Sequence, residues 1–207
     1  MLALRAARLG AHSVQMAEVL LFHHVLGQTP GFWAFVNELR AQGNTVHTPD
    51  LFEGRTFDSL PAGLEYAGSV GFGTLLEQGV ASAEGLPEQL VYAGFSLGVL
   101  PAQRLAQTRA GAQGALLFYS AVPPAEFGGP WPADVPVQVH GMDADPFFVG
   151  EGDIEAAREL VGQADRGELF LYPGDGHIFL EPGVEGYDAD AAALLTARAV
   201  GFLAAFS

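Results

Sequence analysis

Gln89-Leu90-Val91-Tyr92-Ala93-Gly94-Phe95-Ser96-Leu97-Gly98-Val99-Leu100 is the stretch on which the reading of the chain turns. Its first half is an apolar run of a length that suits one buried strand. From Leu97 to Gln107 the apolar residues fall at helical spacing, so strand passes into helix with a single tight turn between them. Ser96 occupies that turn, with Gly94 and Gly98 two positions away on either side. So sharp a turn is strained, and only small flanking residues let the backbone pass closely enough. The helix that follows directs its electropositive N-terminal end at the serine, which favours developing negative charge. The pattern predicts a nucleophile at Ser96 and an oxyanion donor in the Leu97 N–H. The competing reading is a glycine turn with no chemistry.

The same alternation extends in both directions. Strands are expected at 19–22, 45–47, 89–95, 115–119, 135–140 and 168–172, and helices at 32–42, 97–107, 153–164 and 188–206. Residues 62–84 are ambiguous, helical in pattern but interrupted by glycines. Continuously apolar strands alternating with amphipathic helices specify an α/β fold: a mostly parallel sheet of about six strands with helices on both faces. No repeat or linker breaks the pattern, so residues 16–207 read as a single domain. Residues 1–15 carry Arg5 and Arg8 without a continuous apolar run. They read as an N-terminal extension outside the core rather than a signal peptide.

Composition closes off several kinds of chemistry. The chain of 207 residues carries a net charge of −15, which argues against nucleic acid and anionic membrane surfaces as partners. Cysteine is absent, so thiolate nucleophiles, disulfides and Cys-ligated metals are excluded. All nine basic residues are arginines, which removes Schiff bases, Ser-Lys dyads and phosphate loops that need lysine. No stretch is expected to span a membrane. A cytoplasmic protein, monomeric or weakly dimeric, is the default.

In a parallel sheet, reactive residues collect at the carboxyl ends of strands. His177, in Tyr172-Pro173-Gly174-Asp175-Gly176-His177, follows the last expected strand, where it can serve Ser96 as general base. Its plainer reading is an exposed loop histidine. The fifth strand ends in His140-Gly141-Met142-Asp143-Ala144-Asp145-Pro146-Phe147-Phe148, which places two aspartates between nucleophile and base. Asp145 is preferred as the acid, because the proline and aromatics after it can shield it from water. Asp143 is the alternative, the unused one bracing the loop, and Asp175 is a weaker rival. His23 and His24 close the first strand without a carboxylate or third histidine near them in sequence, so no metal site is expected. The loop from His24 to Gly27 is expected to give the second oxyanion N–H, that of Val25. His24, Leu26, Phe95, Trp131 and Phe147 are the candidate pocket residues, with the Pro- and Gly-rich segment 121–136 as lid or pocket wall.

Phe22-His23-His24-Val25-Leu26-Gly27, Pro49-Asp50-Leu51-Phe52, Gly94-Phe95-Ser96-Leu97-Gly98 and Tyr172-Pro173-Gly174-Asp175-Gly176-His177 together resemble the dienelactone hydrolase family. The resemblance runs from Ala17 to the closing helix. It implies an α/β-hydrolase fold, no cofactor, and hydrolysis of a small-molecule ester or lactone through an acyl-enzyme on Ser96, His177 and Asp145. The chain departs from the family's type members in three ways. Ser96 stands where they carry a cysteine, His24 where they carry a glutamate, and no arginine stands in the residues just after His177 to hold a carboxylate substrate. Arg55 is the nearest candidate for that task, and a surface ion pair suits it better. Acyl transfer to another acceptor, and a non-catalytic ligand-binding homologue, are the competing functions.

Overall fold

In the computed structural model, which describes residues 16–206, six strands form one sheet in the order β2-β1-β3-β4-β5-β6, every neighbouring pair parallel. The strands are β1 (Glu18–Phe22), β2 (Thr45–His47), β3 (Val91–Phe95), β4 (Gly114–Phe118), β5 (Val137–Met142) and β6 (Gly167–Tyr172). The central β3, β4 and β5 are buried along their whole length, as strands covered on both faces must be. The edge strands β2 and β6 keep exposed positions. The expected extension at residues 1–15 lies outside the described residues.

The helices are α1 (Pro30–Ala41), α2 (Leu60–Val70), α3 (Phe72–Ala81), α4 (Val99–Thr108), α5 (Asp153–Gln163) and α6 (Ala189–Leu203). The ambiguous stretch is thus two helices, broken at Gly71, whose φ of +95° lies in a region most other residues avoid. Thr29 caps α1 by accepting the Phe32 N–H, and Pro30 sits where a helix tolerates it. Phe32, Phe35, Val36 and Leu39 then recur at helical spacing and face the core. Phe32 and Phe35 there meet an aromatic layer in which Phe95 stacks on Phe118 at 4.6 Å.

Strand order decides where a ligand can enter. The chain leaves β1 toward β2 on one side and returns to place β3 on the other. With right-handed crossovers, α1 and α4 fall on opposite faces. The loops after β1 and β3 therefore diverge, and a crevice opens between them at the carboxyl end.

One expectation needs correction. Residues 189–206, α6 and the turn after it, are long and apolar enough to cross a membrane, with a mean hydropathy of 1.5. The helix packs Ala191, Ala192, Leu195, Ala199 and Leu203 inward. Arg198, halfway along it, lies over the Phe170 ring at 4.0 Å.

Candidate active site

Ser96 is built into the turn as its sequence suggested. Its φ is +48°, a left-handed conformation that costs a non-glycine residue on the order of 1–2 kcal/mol and is held only where the surroundings enforce it. The two glycines allow it for different reasons. A Cβ at Gly98 would lie 2.6 Å from the Phe22 carbonyl oxygen and 2.7 Å from that of His23, so Gly98 lets the elbow press against the end of β1. A Cβ at Gly94 would strike the carbonyl of Gly98 itself. A short 3₁₀ turn from Ser96 to Gly98 leads into α4, whose N-terminal end thus points at the serine.

The hydroxyl of Ser96 lies 2.9 Å from His177 Nε2, and His177 Nδ1 lies 2.7 Å from Asp145 Oδ2. With Nδ1–H donating to the carboxylate, Nε2 carries the lone pair that accepts the serine proton. Asp145 is fully buried, and its other oxygen accepts the Phe147 N–H at 2.9 Å. The intervening Pro146 stiffens this small turn, so the carboxylate is held from two sides. Asp143 points elsewhere: it is exposed and accepts the Gly174 N–H at 3.1 Å, bracing the loop that leads to His177. Of the two aspartates, only Asp145 reaches the imidazole. Asp175, the third, is exposed.

The cavity onto which Ser96 and His177 open measures about 200 Å³. Phe147, a candidate pocket residue, lines it, as do Val25 and Leu97, the candidate oxyanion donors, but much of its apolar wall comes from Leu60, Leu64 and Phe72 of α2 and α3. Its polar rim is Ser120, Glu151 and Asp153. Four expected pocket residues are not in the wall. Leu26 and Phe95 are buried in the core below it, and His24 is turned into the protein interior. Trp131 is buried because its indole N–H finds a partner close by, donating to the Val135 carbonyl at 2.7 Å. Segment 121–136 is accordingly no lid. Gln103 and Gln107 of α4 tie it down through Val122 and Pro124, and Gln163 of α5 accepts the Trp131 backbone N–H.

Two carboxylates near the cavity escaped sequence reasoning. Asp153 opens α5, where an acid reads as an ordinary helix start, yet it accepts a 2.5 Å bond from the Ser120 hydroxyl at the cavity. Burial raises its pKa, offset in part by that bond. Glu181, four residues after His177, is buried and bonded to His24. No local pattern marks a carboxylate whose partner is 157 positions away.

The other histidines at this end are structural. His23 donates from Nδ1 to the His24 carbonyl at 2.7 Å and accepts the Leu51 N–H at Nε2, which joins the end of β1 to the segment after β2. Burial holds its pKa down at about 4. His140 in β5 is fully buried, bonded to the Tyr172 hydroxyl at 2.9 Å, and burial lowers its pKa to about 3. Arg55, the residue considered for holding a substrate carboxylate, lies over the Tyr66 ring and is not in the cavity wall.

Comparison with known proteins places the chain in a family. The model of the dienelactone hydrolase family matches residues 4–207. The chain belongs to the dienelactone hydrolase family. No curated protein matches it. Among solved structures, a dienelactone hydrolase-like promiscuous phosphotriesterase from metagenomic libraries superposes with a TM-score of 0.70 at 19% identity, covering 91% of this chain and 86% of the other. Esterase 2 of Thermogutta terrifontis, phosphonylated by cyclosarin, gives 0.66 at 14% identity, with coverages of 93% and 84%. At such identities these two neighbours share the fold. Membership of the dienelactone hydrolase family makes the chain a hydrolase homologue with an α/β-hydrolase core.

Proposed function

We propose that this chain hydrolyses small, uncharged carboxylic esters or lactones through an acyl-enzyme on Ser96. The observation that carries the reading is the line from Ser96 Oγ to His177 Nε2 to buried Asp145, opening on a cavity of about 200 Å³. His177 takes the hydroxyl proton as Oγ attacks the carbonyl carbon, and Asp145 stabilises the imidazolium that forms. The carbonyl oxygen, now an anion, is held by the N–H groups of Leu97 and Val25. Collapse of this intermediate breaks the bond to the leaving oxygen, which receives the proton from His177. Water then attacks the acyl-enzyme with His177 again as base, releasing the acid and restoring Ser96.

Serine makes a stronger demand on its base than cysteine does, because a hydroxyl is not appreciably ionised at neutral pH. The close approach of His177 Nε2 to Oγ suits that demand. Charge at the rim narrows the substrate. Glu151 and Asp153 line the cavity and, among the described residues, no arginine does, so a carboxylate-bearing lactone of the kind the family is named for meets repulsion rather than a clamp. The cavity volume and the apolar wall of Leu60, Leu64 and Phe72 suit a short acyl or alkyl group.

Since a neighbour in fold is phosphonylated by cyclosarin, a fluorophosphonate is a fitting probe. The native protein should be labelled at Ser96 and should turn over short p-nitrophenyl esters, whereas Ser96→Ala should do neither. Native protein that resists the probe and leaves these esters intact would sink the proposal. Turnover that yields transfer product in preference to acid when an alcohol is added would favour the acyltransferase reading.

A further inference from the structure

Behind the cavity lies a buried polar group that the mechanism above leaves unused. The imidazole Nε2 of His24 is paired with Glu181 Oε1, and both side chains are almost wholly buried. The Thr29 hydroxyl donates to the other carboxylate oxygen at 2.5 Å while accepting the Phe32 N–H at 3.1 Å as the cap of α1. On its far side the His24 ring accepts the Leu26 N–H at Nδ1, at 3.1 Å. That bond spends the Nδ1 lone pair on backbone, so Nε2–H is the proton facing Glu181. The N-terminal end of α1 adds its partial positive charge beside the carboxylate. Gly31 makes the approach possible, since a Cβ there would lie 2.6 Å from Glu181 Cγ.

The arrangement matters because of what it surrounds. Leu26 N–H goes to the His24 ring and Gly27 N–H goes to the His24 carbonyl, which closes a small loop around Val25. Among the described residues, the Val25 N–H donates to no backbone carbonyl, and Val25 lines the cavity with Ser96 and Leu97. An amide held in place with its neighbours' donors occupied is what a preorganised oxyanion hole requires. Glu181 lies on the same short segment as His177, so one carboxylate ties the loop carrying the base to the loop carrying the donor.

We propose that His24 and Glu181 are positioning residues that fix the Val25 N–H as an oxyanion donor and register it against His177. The inference rests on the hydrolase reading of Ser96. Removing the carboxylate by Glu181→Ala leaves the His24 ring free to turn, and Val25 loses its setting while substrate contacts remain. The expected result is a fall in kcat of about 10²-fold, the size of losing one oxyanion donor, with KM changed by less than about threefold. Affinity for a short trifluoromethyl ketone, whose adduct with the serine carries the same oxyanion, should fall in parallel. Glu181→Gln keeps an oxygen that accepts from His24, and should restore most of the kcat. Gly31→Ala, which displaces Glu181 without removing any polar group, should resemble Glu181→Ala and serves if that variant does not fold.

A purely structural role predicts something different: a lower melting temperature, with kcat and ketone affinity of the surviving folded protein unchanged. That result in Glu181→Ala or Gly31→Ala would overturn the inference alone. Native protein with no ester turnover would contradict the hydrolase reading and this inference with it.

Discussion

Two imidazole–carboxylate pairs stand at the carboxyl end of this sheet, His177 with Asp145 and His24 with Glu181. Both are buried, and in each the carboxylate accepts from one ring nitrogen and from a second donor. They differ in what the remaining nitrogen faces. In His177 it meets the hydroxyl of Ser96 at the cavity, whereas in His24 it meets the backbone N–H of Leu26. The first lone pair is available to a reacting proton, and the second is committed to holding a loop. On the proposed reading, the same pair of residue types serves as a proton shuttle or a strut according to its second partner.

The contrast is broken most severely at Asp145. Asp145→Asn should lower kcat/KM by about 10⁴-fold, because the amide holds the wrong imidazole tautomer. Asp143→Asn should cost only a loop hydrogen bond, about 1 kcal/mol of stability, with turnover largely kept. Ester kinetics on the two variants check this, and the reverse order would exchange the roles of the aspartates.

Acid tests the imidazoles that do no chemistry. His23 and His140 are held neutral by burial, with pKa values of about 4 and about 3, against 6.5 when exposed. Below pH 6.5 the unfolded chain takes up protons that the folded chain refuses, so stability is present above that pH and is lost as pH falls toward 4. Melting temperatures measured from pH 7.5 to 4.5 should decline, and less steeply in His140→Gln.

Gly98→Ala probes the elbow that brings Ser96 to His177. The added methyl meets the backbone of Phe22 and His23, and the expected loss is about 1–3 kcal/mol in denaturant unfolding. The smallest effect concerns charge at the rim. Asp153→Asn removes one negative charge beside the cavity, and should improve kcat/KM for an ester bearing a carboxylate by roughly fivefold relative to its neutral analogue. An unchanged ratio would mean that the rim does not select against anions.

Much of this was legible in the sequence, for a physical reason. The strand–serine–helix turn, the parallel sheet and the pairing of His177 with one of two nearby aspartates are imprinted locally: by Gly94 and Gly98, by apolar runs, and by residues standing just after strands. The preference for Asp145 also rested on a local feature, the proline and two aromatics that follow it. Features defined by long-range packing were not legible. Leu60, Leu64 and Phe72 become the pocket wall only once α2 and α3 fold over the crevice, and nothing in residues 62–84 announces that. Trp131 suggested a pocket because it is large and lies in a loop, yet its N–H was satisfied four residues away, at Val135. Glu181 was missed because His24 looked unpaired when only sequence neighbours were considered.

The central claim is that Ser96 carries the acyl group. Mixing the native protein with a slowly hydrolysed p-nitrophenyl ester, quenching in acid within the first turnover and mapping peptides by mass tests it directly. The account predicts a burst of p-nitrophenol and one acyl group, on the peptide containing Ser96, absent from Ser96→Ala. Steady hydrolysis without a burst and without an adduct on Ser96, or with the adduct on another residue, would contradict it.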